Sequence, residues 1–205
     1  MFLKVLACIA IGYLLGSVIS AVVLSKLLYH EDVRSFGSGN SGATNAARAY
    51  GVFVGLGTFL GDFLKGILAC WLGSLILGGT GLAIAGAACI VGHSFPVFFG
   101  FKGGKGVATG AALALMLDWR IFVIGISLFL IIALITGRVS AGSIAGCLVI
   151  AIGSIVFVKE PVMVILGVLS ALFIIASHYE NIKRLLNGTE KKFKFGKPKP
   201  TGRVK

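Results

Sequence analysis

The sequence predicts an all-α, polytopic transmembrane bundle of about seven helices. Composition, segment length and the placement of charge each point there. Of 205 residues, 57% are hydrophobic and only 13% charged, with a mean hydropathy of +1.01. A soluble domain of this size needs more polar surface than that to cover its core. Several apolar runs also lie near or above the ~20 residues that a bilayer crossing requires.

Seven apolar segments are predicted as helices: 3–28, 52–77, 81–95, 107–117, 121–136, 139–158 and 162–177. Strands are excluded because a lone lipid-facing strand leaves its backbone groups without partners. The first run carries one basic residue near its start, Lys4, and ends in Ser25-Lys26-Leu27-Leu28-Tyr29, a poor cleavage site. It therefore reads as a retained helix and not as a removed signal. Segments 81–95 and 107–117 are short and flank a glycine-rich loop, so they form either two crossings or one re-entrant hairpin; the second case leaves five crossings plus the hairpin. Parity is the same both ways.

Charge orients the bundle. Arg34, Arg48, Lys102, Lys105 and Arg138 fall in alternate connections, and nine more basic residues follow from Lys183 to Lys205, whereas Lys4, Arg120 and Lys159 stand opposite. The positive-inside rule places the basic connections and the C-terminus in the cytoplasm and the N-terminus outside. Residues 1–182 are expected to form one transmembrane domain and 183–205 a basic cytoplasmic tail. The net charge of +12 comes mostly from that tail. Attraction of each basic residue to anionic head groups, about 1 kcal/mol near the surface, explains it without a nucleic-acid partner. Cys8, Cys70, Cys89 and Cys147 lie inside apolar segments at spacings that suit neither disulfides nor metal, and read as small core residues.

Three polar clusters fall on the predicted cytoplasmic face. The first runs Gly37-Ser38-Gly39-Asn40-Ser41-Gly42-Ala43-Thr44-Asn45-Ala46-Ala47-Arg48. Its glycines let backbone N–H groups converge on an anion, its short polar side chains add neutral donors, and Arg48 offers a fork suited to phosphate oxygens. The second contains His93 and Gly103-Gly104-Lys105-Gly106, a glycine-rich turn leading into a helix whose N-terminus favours an anion. The Walker A spacing is absent. The third places His178 and Asn181 three residues apart on one helix face, followed by Arg184 and Glu190. Arg138, Ser140 and Ser143 open the next-to-last helix as further anion contacts. Asp62 and Lys65, at i and i+3 within an apolar helix, read as a mutually neutralising pair.

Taken together, these clusters resemble the bacterial acyl-phosphate:glycerol-3-phosphate acyltransferases over essentially the whole chain. Gly37-Ser38-Gly39-Asn40 with Gly42-Ala43-Thr44-Asn45 and Arg48 is similar to that family's first motif. Phe95-Pro96 and Gly103-Gly104-Lys105-Gly106 with His93 are similar to the second. His178, Asn181-Ile182, Arg184-Leu185, Gly188 and Glu190 are similar to the third. The resemblance implies acyl transfer from acyl phosphate to the 1-hydroxyl of sn-glycerol 3-phosphate at the bacterial inner membrane. The sequence holds no carboxylate cluster suited to a metal, so no metal or cofactor is expected, and activity is expected in EDTA. By the resemblance, Arg48, Lys105, His178 and Asn181 are the candidate catalytic residues. Ser38, Gly39, Asn40, Thr44, Asn45, Gly103, Gly104, Gly106 and Ser143 are the candidate substrate-binding positions.

The His-x4-Asp pattern of many other glycerolipid acyltransferases is missing: Ser35, Phe98 and Lys183 stand five residues after His30, His93 and His178. Either the donor's phosphate or His178 is then the base. A transporter of phosphate compounds is the reading from another class, and Asp62–Lys65 alone favours it. A non-catalytic membrane scaffold is the third, and it would have no use for converging anion loops.

Overall fold

The computed structural model describes residues 1–193, and within them the chain is helical with no strand. The helices are α1 (Phe2–Ser17), α2 (Ser20–Tyr29), α3 (Ala43–Tyr50), α4 (Val52–Ser94), α5 (Val107–Leu117), α6 (Trp119–Thr136), α7 (Val139–Phe157), α8 (Pro161–Ala176) and α9 (Tyr179–Leu186). Helix α9 runs through the expected 182/183 boundary, and tail positions 194–205 lie outside the described residues.

Phe2–Tyr29, Val52–Phe99, Trp119–Thr136 and Val139–Phe157 are long and apolar enough to cross a membrane, and α8 with α9, bent by 57°, makes a further candidate. The first span differs from the uninterrupted helix expected. Val18 and Ile19 are extended, so α1 and α2 are separate helices. Helix α4 folds back on itself at Leu77 and Gly78, with Gly78 at φ 58°, a left-handed conformation that glycine adopts without strain. Its two legs then touch backbone to backbone. A Cβ on Gly73 would lie 2.2 Å from the Gly81 carbonyl oxygen, and one on Gly86 would lie 2.7 Å from Cys70 Sγ.

Asp118 caps α6 by accepting from the Arg120 amide at 2.8 Å, which is why that helix starts two residues before the apolar run. Pro161 occupies the first turn of α8, where its missing N–H costs nothing. The four cysteines are buried and unpaired, as expected. The connections 30–51, 95–106 and 137–138 and the segment 177–193 gather at one end of the bundle, joined by hydrogen bonds from Arg34 to Phe99 and from Phe193 to Gly137.

Candidate active site

The first cluster folds around a single side chain. Asn45, at 2% exposure, accepts from the Ser38 amide at 2.9 Å and the Ser38 hydroxyl at 3.2 Å. Its amide nitrogen donates to the carbonyls of Val33 and Phe36, both at 3.0 Å. All four hydrogen-bonding positions of that amide are filled. The direct substrate contact expected of Asn45 therefore gives way to a clasp that shapes the 33–38 loop. Ser38 and Gly39 are exposed on it, Asn40 is half-buried, and Thr44 and Arg48 share a face of α3 one turn apart. The Arg48 guanidinium lies over the Phe193 ring at 5.8 Å.

Arg34 ties this loop to the second cluster. It is held by Asp32 at 2.8 Å and donates to the carbonyls of Phe99 at 2.8 Å and Lys102 at 3.1 Å. In the glycine turn, the Gly103 and Gly104 amides are already given to the Ser94 and His93 carbonyls, at 3.2 and 3.0 Å. These two amides are thus spent inside the protein instead of cradling a phosphate. Gly106, at φ 83°, ends the turn and opens α5.

Lys105 carries the second cluster to the third. Its ammonium donates to Asn181 Oδ1, and the Asn181 amide nitrogen donates to Glu190 Oε1 at 2.7 Å. Glu190 also accepts from Ser140 Oγ at 2.6 Å and from Arg184 Nε at 2.7 Å, and its carbonyl accepts from Arg138. Ser140, expected to contact a ligand anion, serves an internal carboxylate. Burial raises the Glu190 pKa, but the hydrogen bonds from Ser140, Arg184 and Asn181 outweigh it and hold the group at about 2. Burial draws the Lys105 ammonium down to about 8, against an upward pull from Glu190 and with further depression from Arg184 and Arg48. None of the ion pairs among the described residues uses Arg48 or Lys105. Lys105 and Arg48, near enough for Arg48 to depress the Lys105 pKa, thus have no carboxylate in an ion pair among the described residues, which suits an anionic ligand.

His178 is 3% exposed, with Nδ1 at 2.8 Å from the Ile174 carbonyl. A carbonyl has no hydrogen to give, so Nδ1 carries the proton and Nε2 keeps its lone pair. Ser143 donates to Val139 at 3.0 Å and lines an open apolar groove between α5, α6 and α7. Val107, adjacent to the glycine turn, and Ser143, one turn beyond Ser140, lie at the polar end of this groove; Ala111, Phe122 and Cys147 continue it into the apolar interior.

Sequence reasoning named Glu190 only as part of a motif and missed it as the hub. Its partner Ser140 is fifty positions away, so no local spacing could have joined them.

Over residues 6–188 the chain matches the family described as glycerol-3-phosphate acyltransferase. A glycerol-3-phosphate acyltransferase of Finegoldia magna is 40% identical over 185 residues, with 88% of this chain and 91% of the relative covered. Glycerol-3-phosphate acyltransferase 2 of Bacillus anthracis is 39% identical over 182 residues, with 89% and 95% covered. Among solved structures, PlsY, an integral membrane glycerol 3-phosphate acyltransferase, is similar in its glycerol 3-phosphate form with a TM-score of 0.87 at 36% identity, covering 93% of this chain and 96% of that one. Its lysophosphatidic acid form gives a TM-score of 0.85 at 35% identity.

Proposed function

The chain belongs to the glycerol-3-phosphate acyltransferase family, integral membrane enzymes of lipid biosynthesis, and we propose that its own reaction uses acyl phosphate as the donor. The 1-hydroxyl oxygen of sn-glycerol 3-phosphate attacks the acyl carbonyl carbon, and the bond from that carbon to the phosphate oxygen breaks. The products are lysophosphatidic acid and inorganic phosphate. The observation that carries this reading is the Lys105–Asn181 hydrogen bond, with Arg48 near enough to depress the Lys105 pKa and Lys105 two residues along the chain from Val107 in the lining of an apolar groove. Two phosphates need the cations. A fatty chain needs the groove, where each buried CH₂ contributes about 0.8 kcal/mol.

Arg48 and Lys105 stabilise the charge that develops as phosphate departs, and Asn181 orients Lys105. An acyl phosphate already has a good leaving group, so positioning supplies much of the rate. The hydroxyl proton passes to the departing phosphate. The available Nε2 of His178 supports the rival reading, in which imidazole is the base. A His178→Gln protein that keeps a tenth or more of wild-type kcat supports the phosphate, whereas a fall of about 10³-fold or more with unchanged glycerol 3-phosphate binding supports the imidazole.

The site faces the cytoplasm of a bacterial inner membrane, with the basic tail on the same side and the N-terminus outside. The chain makes seven passes, of which α5, about 17 Å long, is shorter than the hydrocarbon core. No metal or nucleic acid takes part. Arg48→Lys keeps the charge but loses the planar fork, and kcat/KM for glycerol 3-phosphate falls about tenfold or more; wild-type values would contradict the role given to Arg48. The donor is tested with purified protein given glycerol 3-phosphate and palmitoyl phosphate, palmitoyl-CoA or palmitoyl-acyl carrier protein. Lysophosphatidate forms from the phosphate alone. Equal rates from a thioester would overturn the proposal.

A further inference from the structure

A further group of polar side chains lies within the apolar spans. Asp62 and Lys65 pair at 2.8 Å on α4, as their spacing predicts, and His93 from the returning leg joins them. Its Nδ1 lies 3.0 Å from the Lys65 ammonium and 3.6 Å from Asp62. All three side chains are at least nine-tenths buried. Lys65 also donates to the carbonyls of Gly16 and Val18, and Asp62 accepts from the Ser20 hydroxyl at 2.9 Å. The cluster thereby satisfies the Gly16 and Val18 carbonyls and the Ser20 amide and hydroxyl on either side of the break in the first span.

Stability alone is a weak reason for such a cluster. Charges buried among apolar helices carry a desolvation cost that their attraction only roughly offsets, and apolar side chains of the same volume hold helices together as well. The geometry has a second consequence. An ammonium has only hydrogens to offer, so His93 Nδ1 accepts from Lys65 and Nε2 carries the imidazole proton. That Nε2 edge lies flat against Gly104, where a Cβ would stand 2.2 Å from it, and the His93 carbonyl accepts the Gly104 amide at 3.0 Å. Gly104 directly precedes Lys105. One residue, fixed by Asp62 and Lys65, therefore holds the turn from which the Lys105 ammonium reaches Asn181.

We propose that Asp62, Lys65 and His93 are positioning residues for the acyl transfer: they lock the Gly103–Gly104 turn to the break in the first span and so set where Lys105 stands. This rests on the role given to Lys105 above. None of the three touches a reacting atom. Their effect on turnover passes through Lys105, and this separates a positioning role from a purely structural one.

A double-mutant cycle reads it. The purified wild type, His93→Ala, Lys105→Met and the double variant are compared for kcat with palmitoyl phosphate, for melting temperature, and for the rise in melting temperature that glycerol 3-phosphate produces. With Lys105 present, His93→Ala lowers kcat about tenfold or more, as expected when a reacting group shifts by a fraction of an ångström. In the Lys105→Met background the same change costs less than about twofold, while the melting temperature drops equally in both backgrounds. Asp62→Asn follows the same pattern. Equal losses of kcat in both backgrounds, or a His93→Ala protein within twofold of wild type, would overturn the proposal. The ligand-induced melting shift gives the same cycle without turnover, so a protein that rejects acyl phosphate would refute the donor assignment and still decide this one.

Discussion

Replacing Lys105 by methionine is expected to lower kcat/KM by about 10²–10³-fold, the loss typical when one preorganised electrostatic stabiliser is removed. The ammonium joins the second polar cluster to the third, partly stripped of water and oriented by Asn181. Methionine keeps the volume and removes the charge. The pH profile tests the same group in another way. Burial sets its pKa at about 8, so the protein without substrate holds the cation below that pH and loses it as pH rises through that value. Because kcat/KM reports the free enzyme, it falls on the alkaline side near 8. The acid side is set by the substrates' phosphates, whose second ionisation lies near ~6. Arginine stays charged throughout, so Lys105→Arg removes the alkaline limb whatever its absolute rate. An unchanged limb in that variant would show that another group is responsible.

Glu190→Gln is expected to lower kcat by about 10- to 100-fold, a loss in the range produced by misplacing a catalytic group by about an ångström. The carboxylate accepts from Ser140, Asn181 and Arg184 at once, at 2.6 to 2.7 Å. A glutamine has one acceptor oxygen, so at least one of those donors then meets an N–H, and a hub built only of acceptors fails. Asn181 loses its anchor and Lys105 its orientation. The Arg184 side chain is 42% exposed, and an ion pair that open to water adds little stability. Turnover therefore falls far more than melting temperature. A variant within twofold of wild-type kcat would remove Glu190 from the account.

Sequence alone identified the features governed by local rules. Segment 107–117 coincides with α5, and 139–158 overruns α7 by one residue, because apolar runs bounded by glycine or polar residues end where the backbone needs other partners. Asp62 and Lys65 were legible because i,i+3 residues share a helix face. The break at Val18 and Ile19 was not. No proline or charge marks it, and Lys65, forty-seven positions away from Val18, satisfies its carbonyl. The same holds for His93 beside Lys65, for Arg34 bridging two loops, and for Glu190. In each, the chemistry depends on which distant backbone lies opposite, and pattern within a window carries no record of that. Arg48 and Lys105, singled out in the sequence for their glycine-rich settings, remain outside the ion pairs among the described residues. Asn45 shows the converse: a polar residue in a glycine-rich run looks like a ligand contact until its four hydrogen bonds are assigned.

The most direct measurement of the account is the sidedness of turnover in sealed vesicles, with palmitoyl phosphate in the bilayer and glycerol 3-phosphate, an anion that cannot cross it, supplied only outside. Inside-out vesicles should release lysophosphatidate and phosphate one for one from the start, and right-side-out vesicles only after they are made leaky. Immediate turnover in intact right-side-out vesicles would contradict a single reaction chamber opening to the cytoplasm.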